Sequence, residues 1–251
     1  MATPELIAAS AWRTVDFISD LHLQATQAAT FDVWRHYMHS TPADALFILG
    51  DLFEVWVGDD ALQTGNFELQ CAEVISQTAA RMPVFFMHGN RDFLVGSVLM
   101  HQCNARLLND PTVLVFEGQR WLLSHGDALC IDDLAYMQFR AQVRSPEWKQ
   151  NFLAKPLAER QAIARGLRQQ SEAKKQAGVI NADVDAAAAR QWLLTAQALS
   201  LVHGHTHRPA THDLGHGMQR VVLSDWEAEA TPPRAEILRL TGRGLQRISL
   251  V

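Results

Sequence analysis

Phe17-Ile18-Ser19-Asp20-Leu21-His22 is an apolar run that stops on a carboxylate and an imidazole two residues apart. Four other stretches repeat the design. Phe47-Ile48-Leu49 leads into Gly50-Asp51, Val84–Met87 into Gly89-Asn90-Arg91-Asp92, and Trp121-Leu122-Leu123 into Ser124-His125-Gly126-Asp127. Leu199–Val202 leads into His203-Gly204-His205-Thr206-His207. Apolar runs this short predict strands. In the first half, Thr14–Ile18, Ala45–Leu49 and Pro83–Met87 alternate with the helical patterns of Phe31–His39 and Phe67–Arg81. That alternation predicts an α/β sheet joined by crossover helices. In such sheets ligands bind outside the carboxyl ends of the strands, where all five polar clusters fall.

Downstream of Asn109-Asp110-Pro111 the pattern changes. Thr112–Phe116, Gly118 and Arg120–Ser124 predict a β-hairpin. Asp132–Gln197 has few β signals, and Leu157–Gln176 and Asp185–Ala198 favour helix. Strand character returns at Leu199–His203, Arg220–Ser224, Glu236–Leu240 and Leu245–Leu250. The economical expectation is one domain over residues 1–251, its sheet interrupted by a helical insertion at about 128–198. From Ala128 to Ala198 there are ten Lys or Arg and seven Asp or Glu, a net charge of +3 that leaves −8 on the remainder. A solvated helical surface accounts for that excess as well as a functional one does.

Composition excludes several classes. With 251 residues, 48% hydrophobic and 20% charged, the chain can bury a sizeable core. The longest apolar runs are far below the roughly 20 residues of a spanning helix, and Met1–Arg13 does not resemble a signal peptide. Cys71, Cys103 and Cys130 are odd in number and far apart, which argues for a reducing compartment rather than a disulfide framework. A net charge of −5 argues against a general nucleic-acid binder.

The collected polar set is Asp20, Asp51, Asn90, His125, His205, His207 and His22. In extended backbone, residues i and i+2 share a face, so Asp20 with His22, and His205 with His207, are each expected to reach one point. Oxygen and imidazole donors without thiolate suit Mn, Fe, Zn or Co. Seven ligands are too many for one ion but suit two ions about 3.5–4 Å apart. Singly, Asp-x-His or Gly-Asp is more often a turn, and Gly-Asn-Arg-Asp a hydrogen-bonded loop; all five in order point to metal. His36, His39, His101, His212 and His216 fit no such pattern and are expected to be ordinary surface or core residues, with His88 turned inward at a strand end.

In this order the motifs resemble those of the calcineurin-like metallophosphoesterase superfamily, over about Thr14–Ser224. The resemblance implies a four-layer αββα sandwich of two mixed sheets, with the helical insertion forming a lid. It also implies two divalent ions, expected to be Mn²⁺. Asp20, His22, Asp51 and His207 would hold one, and Asp51, Asn90, His125 and His205 the other, with Asp51 bridging. Many members carry Gly-Asn-His, whose histidine is a general acid; here that place is Arg91. Arginine stays charged but clamps phosphate oxygens. The expected leaving group is therefore a phosphate monoester, with a last pKa of about 6, rather than an alkoxide. That points to a pyrophosphate substrate. Asp92 is expected to orient Arg91 or a histidine ligand, or to brace its loop. His203 is left between a phosphate contact, a ligand-orienting role and a plain strand position.

The finer spelling, from Gly50-Asp51-Leu52-Phe53-Glu54 to His125–Asp133 and His203–Pro209, is similar to the branch of the superfamily that cleaves UDP-2,3-diacylglucosamine to 2,3-diacylglucosamine 1-phosphate (lipid X) and UMP in lipid A biosynthesis. That likeness implies water attack at the α-phosphorus. It implies substrate contacts at Asn90, Arg91, Asp133, Tyr136, Ser171, Lys174, Lys175 and His205, with Ser171–Val184 similar to a substrate-binding helix and the Asp-Val after it. Two acyl chains need apolar surface, for which the insertion offers Leu134, Tyr136, Met137, Phe139, Trp148, Phe152, Leu153 and Ile163. Its charge comes from Arg140, Arg144, Lys155, Arg165, Lys174 and Lys175. The expected partner is the cytoplasmic face of the inner membrane, met as a peripheral monomer without nucleic acid. The alternatives are a soluble nucleotide or dinucleoside-polyphosphate hydrolase on the same fold, and a non-catalytic binding module, which the filled ligand positions disfavour.

Overall fold

The computed structural model describes residues 3–63, 65–176 and 182–251, and for 171–176 the backbone alone. Two six-stranded sheets form its centre. One has the order β12-β11-β2-β3-β4-β5, from Thr14–Ile18 (β2), Ala45–Leu49 (β3), Val84–Met87 (β4), Arg106–Leu108 (β5), Glu236–Thr241 (β11) and Gly244–Ser249 (β12). The other has the order β1-β6-β7-β8-β10-β9, from Glu5–Ile7 (β1), Thr112–Phe116 (β6), Gln119–Leu123 (β7), Ser200–His203 (β8), Ala210–Gly215 (β9) and Met218–Val222 (β10). Both sheets mix parallel and antiparallel pairs. The alternation alone led to one sheet; the second is the one the family resemblance implied.

Local sequence explains the central elements. β3, Ala-Leu-Phe-Ile-Leu, is buried along its whole length, as a parallel strand covered on both faces must be. Its alternate residues go to opposite cores. Leu46 and Ile48 pack outward under Ala28–Ser40 (α1), Phe67–Ala79 (α2) and Ser97–Gln102 (α3), with Trp34, Ile75 and Leu99. Ala45, Phe47 and Leu49 pack inward against Leu114, Leu123 and Val202 of the facing sheet. A third core lies beneath Ala186–Ala196 (α7), where Ala189 and Leu193 cover Val113, Leu122 and Leu201. The layers therefore run helix, sheet, sheet, helix. The one charge inside β2, Asp16, is met by Arg239 at 2.8 Å on both oxygens and by the Tyr37 hydroxyl at 2.9 Å, so burial leaves it paired.

Between β7 and β8 stand Leu134–Val143 (α4), Pro146–Leu153 (α5), Leu157–Gln176 (α6) and α7. Asp133, Ser145 and Asp185 cap three of these helices, accepting from the backbone N–H of Tyr136 (2.9 Å), Trp148 (3.2 Å) and Ala188 (2.6 Å). α6 is fastened by Arg160, whose side chain is 2% exposed and binds Asp60 and the Val57 carbonyl. The sequence pattern does not reveal β1, β5 or β9, nor the short helices α3 and α5.

Candidate metal centre and adjoining cavity

The loops after β2, β3, β4, β7 and β8 meet at one end of the sandwich and are stitched together by main-chain bonds. Asp20 N–H donates to Gly50 O at 3.1 Å, His22 N–H to Asp51 O at 3.0 Å, and Gly204 N–H to His125 O at 2.9 Å. All seven expected ligands lie here. Five of them have left-handed backbone: Asp20 (φ 55°), His22 (49°), Asp51 (53°), His205 (67°) and His207 (52°). Their backbone is therefore not extended, and the i, i+2 expectation holds for one pair only. Asp20 and His22 form a group with His207, their ligand atoms within 4.8 Å of one another. His205 turns elsewhere, its Nδ1 lying 2.8 Å from Asn90 Oδ1.

The second group is Asp20, Asp51 and His125. His125 Nδ1 is 2.9 Å from Leu49 O, the geometry of an N–H donated to a carbonyl. This directs Nε2 to within 3.0 Å of Asn90 Oδ1 and 3.7 Å of Asp51 Oδ1. Asp20 Oδ2 accepts from Ser19 Oγ–H (2.6 Å) and His205 N–H (2.8 Å), which leaves Oδ1 buried without a hydrogen bond, 3.4 Å from His207 Nε2. His22 Nε2 and His207 Nε2 face each other at 3.2 Å.

An orphaned buried carboxylate oxygen and converging imidazole nitrogens are costly without a cation. Oxygen and imidazole donors without thiolate fit divalent ions such as Mn²⁺ or Zn²⁺. The electrostatics agree. Burial opposes charge on His125, but Asp51, Asp20 and Asp127 outweigh it and raise its pKa to about 9. Burial likewise opposes charge on Asp20, yet His207, His125 and His22 hold its carboxyl well below the usual range. Burial, helped by His125, brings His205 down to about 4. A site that draws a proton onto a buried histidine this strongly also draws cations.

Arg91 lies beside this centre. Its Nη1 is 3.3 Å from Glu54 Oε1 and its Nε 3.9 Å from Asp51 Oδ2, and its backbone N–H donates to Asp51 Oδ1 at 2.8 Å. The Asp92 carboxylate accepts from Gly89 N–H and Leu52 N–H, each at 2.8 Å, which is the loop-bracing role. Burial and the nearby Asp51 push its pKa up to about 7. His203 is buried beneath the loop, its Nε2 3.5 Å from Arg220 Nη1. His88 is mostly buried at its strand end and bonds Val95 O at 2.7 Å.

Two participants carry no expected role. Glu54 Oε2 lies 3.1 Å from His22 Nδ1, and its Oε1 meets both Arg91 and, at 3.3 Å, Arg168 of α6. One carboxylate thus ties the centre to the insertion. Its signal was the acid three residues beyond Asp51; Arg168 left none, being one arginine among many on a polar helix.

From the centre a cavity of about 560 Å³ runs under the insertion. Its polar end is His22, Asp51, Asn90, Arg91, His205 and His207; its far walls include Val55, Trp56, Phe93, Phe139, Trp148, Phe152 and Leu167. Of the apolar residues expected to line it, Tyr136, Phe139, Trp148 and Phe152 do, whereas Leu134 and Leu153 face solvent at 71% and 42% exposure. Met137 and Ile163 are not in its wall. Arg140 and Arg144 line it, Lys155 does not, and Arg165 lines a smaller neighbouring pocket. Asp133 reaches the wall as well as capping α4. The side chains of Ser171, Lys174 and Lys175 lie outside the described residues; their backbone belongs to α6.

Comparison with known proteins agrees with this geometry. The calcineurin-like phosphoesterase family model matches residues 13–209. The chain is similar to the UDP-2,3-diacylglucosamine hydrolase of Chromobacterium violaceum, with 48% identity over 84% of this chain and 90% of the relative. It is also similar to the protein of that name from Bordetella pertussis, with 42% identity over 93% of each chain. Among solved structures it resembles an archaeal phosphodiesterase at 10% identity and a TM-score of 0.50, covering 94% of this chain and 99% of the other, a likeness of fold alone.

Proposed function

This chain belongs to the calcineurin-like phosphoesterases, and on that premise we propose that it hydrolyses the pyrophosphate bond of UDP-2,3-diacylglucosamine, yielding 2,3-diacylglucosamine 1-phosphate (lipid X) and UMP in lipid A biosynthesis. The observation that carries this is the shape of the site: a cluster of metal-type ligands at the mouth of a largely apolar cavity, with an arginine where they meet. The names of the relatives support the same substrate.

Asp20, His22, Asp51 and His207 would hold one divalent ion and Asp51, Asn90, His125 and His205 the other, with Asp51 shared and Mn²⁺ the expected metal. When bound, such ions polarise phosphoryl oxygens and lower the pKa of a bound water to about 7. The remaining work falls to this chain. Glu54 and Asp51 hold the Arg91 guanidinium at the polar end, where its paired donors suit phosphate oxygens and offset charge growing on them. Arg91 has no proton to give at neutral pH, and the sugar phosphate leaves without one. Attack falls on the α-phosphorus, on the uridine side of the bridge. Asp92 keeps the Asp51 and Asn90 loops in register.

α4, α5 and α6 act as the lid over the acyl chains, which enter between Trp56, Phe93, Phe139 and Trp148. Each buried CH₂ is worth about 0.8 kcal/mol, so a two-chain lipid passes from bilayer to cavity more readily than through water. No helix among the described residues is long and apolar enough to cross a membrane. The two acyl chains of the substrate support a peripheral enzyme, acting as a monomer, that meets them at the cytoplasmic face of the inner membrane. Purified protein given UDP-diacylglucosamine should release UMP with Mn²⁺ and none after chelation. Equal turnover of dinucleoside polyphosphates, with no preference for the lipid, would replace this function with that of a soluble nucleotide hydrolase.

A further inference from the structure

Asp127 stands two residues beyond the ligand His125, and its side chain is fully buried, yet it belongs to neither ligand group. Its carboxylate is taken up by α4 and the residue that ends it. Tyr136 O–H donates to Oδ2 at 2.7 Å, Arg140 Nε at 2.8 Å and Arg144 Nη2 at 3.2 Å, while Arg140 Nη2 reaches Oδ1 at 3.3 Å. Positions 136, 140 and 144 are spaced by four, so the three donors share one helix face. All three residues line the cavity.

That face touches the metal centre at two points. The Tyr136 ring lies over His205, with centroids 5.9 Å apart and planes 27° from parallel. Arg144 Nη2 also donates to Gly89 O at 2.9 Å, in the loop that presents Asn90 and Arg91. Two guanidiniums thus share one carboxylate and present their donors on this wall. Apolar packing could hold a helix here just as firmly; charge-assisted bonds add fixed direction.

Resting on the function proposed above, we infer that Asp127 is a positioning residue. It holds the Tyr136–Arg140–Arg144 face of α4 against the metal centre, and that face orients the anionic sugar-diphosphate headgroup. It touches no reacting atom. Its action is on how the substrate is held, so its loss should be read in KM.

The test is steady-state UMP release from UDP-diacylglucosamine with Mn²⁺ present. Asp127→Asn keeps the shape and removes the charge; KM should rise about tenfold or more, with kcat changed less than about threefold. Bound manganese should be unchanged, and Asp127→Glu should recover part of the loss. A merely structural role would lower the fraction of active molecules, and hence kcat, and leave KM where it was; that result overturns the inference. Should Asp127→Asn fail to fold, Tyr136→Phe carries the test, since it removes only the hydroxyl bond and keeps the ring; an unchanged KM there also overturns it. If both fold, the double variant should be no worse than Asp127→Asn alone, because coupled residues are not additive; fully additive losses would refute the link. Wild-type protein is the control: if it releases no UMP, the substrate assignment fails, whereas normal wild-type turnover with unaltered variants removes only the role of Asp127.

Discussion

Gly50→Ala is the smallest change that tests the construction of the centre. Gly50 has φ +88° and sits where the β3 loop passes the next two motifs. A methyl carbon there would lie 2.6 Å from Gly89 Cα, 2.6 Å from His125 Nδ1 and 2.7 Å from Gly89 N. Ordinary contact begins near 3.4 Å, so the two loops must separate by roughly 0.8 Å, and two of the obstructing atoms are backbone that cannot rotate away. Left-handed backbone for alanine costs about 1–2 kcal/mol and overpacking about 1–3 kcal/mol. The sum is about 2–5 kcal/mol, which for a chain this size lowers Tm by about 5–20 °C. The functional loss is larger than the stability loss suggests. The displaced loops carry Asp51, Asn90 and His125, and misplacing reacting groups by about 1 Å costs about 10²-fold. UMP release at saturating Mn²⁺ should therefore show kcat/KM reduced about 100-fold in a protein still folded at 20 °C. Gly166→Ala is the matched control: nothing lies within 4 Å of the added carbon, and inside α6 it should stabilise by about 0.4–1 kcal/mol with unaltered kinetics. If Gly50→Ala keeps kcat/KM within threefold of wild type, the close approach of these loops does not set the metal geometry.

Asp51→Ala should abolish hydrolysis and lower bound metal while circular dichroism stays native; normal turnover would exclude a shared Asp51 ligand. Arg91→Ala should retain the metals but lose about 10²–10³ in kcat, the scale seen for removing one transition-state charge stabiliser; metal analysis beside single-turnover rates separates the two. His88 is held neutral in the fold, its pKa brought down to about 4 by burial. Keeping it neutral costs nothing above about pH 6.5, and the fold loses stability as pH falls toward 4, by about 3 kcal/mol there. His88→Gln, which can still donate to Val95 O, should flatten the acid side of a urea-denaturation profile of the metal-free protein, and an unchanged profile would refute this. Flotation with anionic vesicles should retain the protein at low salt and release part of it at high salt; no retention at low salt would exclude the membrane-docked form.

What could be read from the sequence follows how deeply each element is buried. β2, β3, β4, β6, β7 and β8 are interior strands with nearly continuous apolar runs, and their positions were readable to within a residue or so. β1, β5 and β9 are edges of their sheets with exposed or alternating residues; an edge strand needs only one neighbour and one apolar face, so its sequence can resemble a loop, although the fourth edge, β12, was readable at Leu245–Leu250. The ligand set was legible because each member ends an interior strand. Glu54 and Arg168 were not, because their meeting depends on which helix of the insertion lies over which loop, a distance relation with no period in the chain; Arg144 was readable as part of the insertion's charge but not as a partner of Asp127. Asp133 shows another limit: the family likeness implied a substrate contact there, and it does reach the cavity wall, but its capping of α4 emerged only with the fold.

Five of the seven candidate ligands have left-handed backbone, and the two i, i+2 pairs among them behave differently. Extended backbone would aim His205 and His207 at one point. With φ of 67° and 52° His205 turns toward Asn90 and His207 toward His22, whereas Asp20 and His22, with φ of 55° and 49°, stay in one group. Such conformations cost on the order of 1–3 kcal/mol each for non-glycine residues and persist only where neighbours over-determine them. Here they do: His205 N–H is held by Asp20 Oδ2, Asp20 N–H by Gly50 O, and His22 N–H by Asp51 O. Three of the five strained residues are thus fixed by the motif of another strand. The centre is accordingly a property of the two sheets together, since β2, β3 and β4 belong to one and β7 and β8 to the other. A perturbation that shifts one sheet against the other should therefore disturb metal binding before it unfolds either.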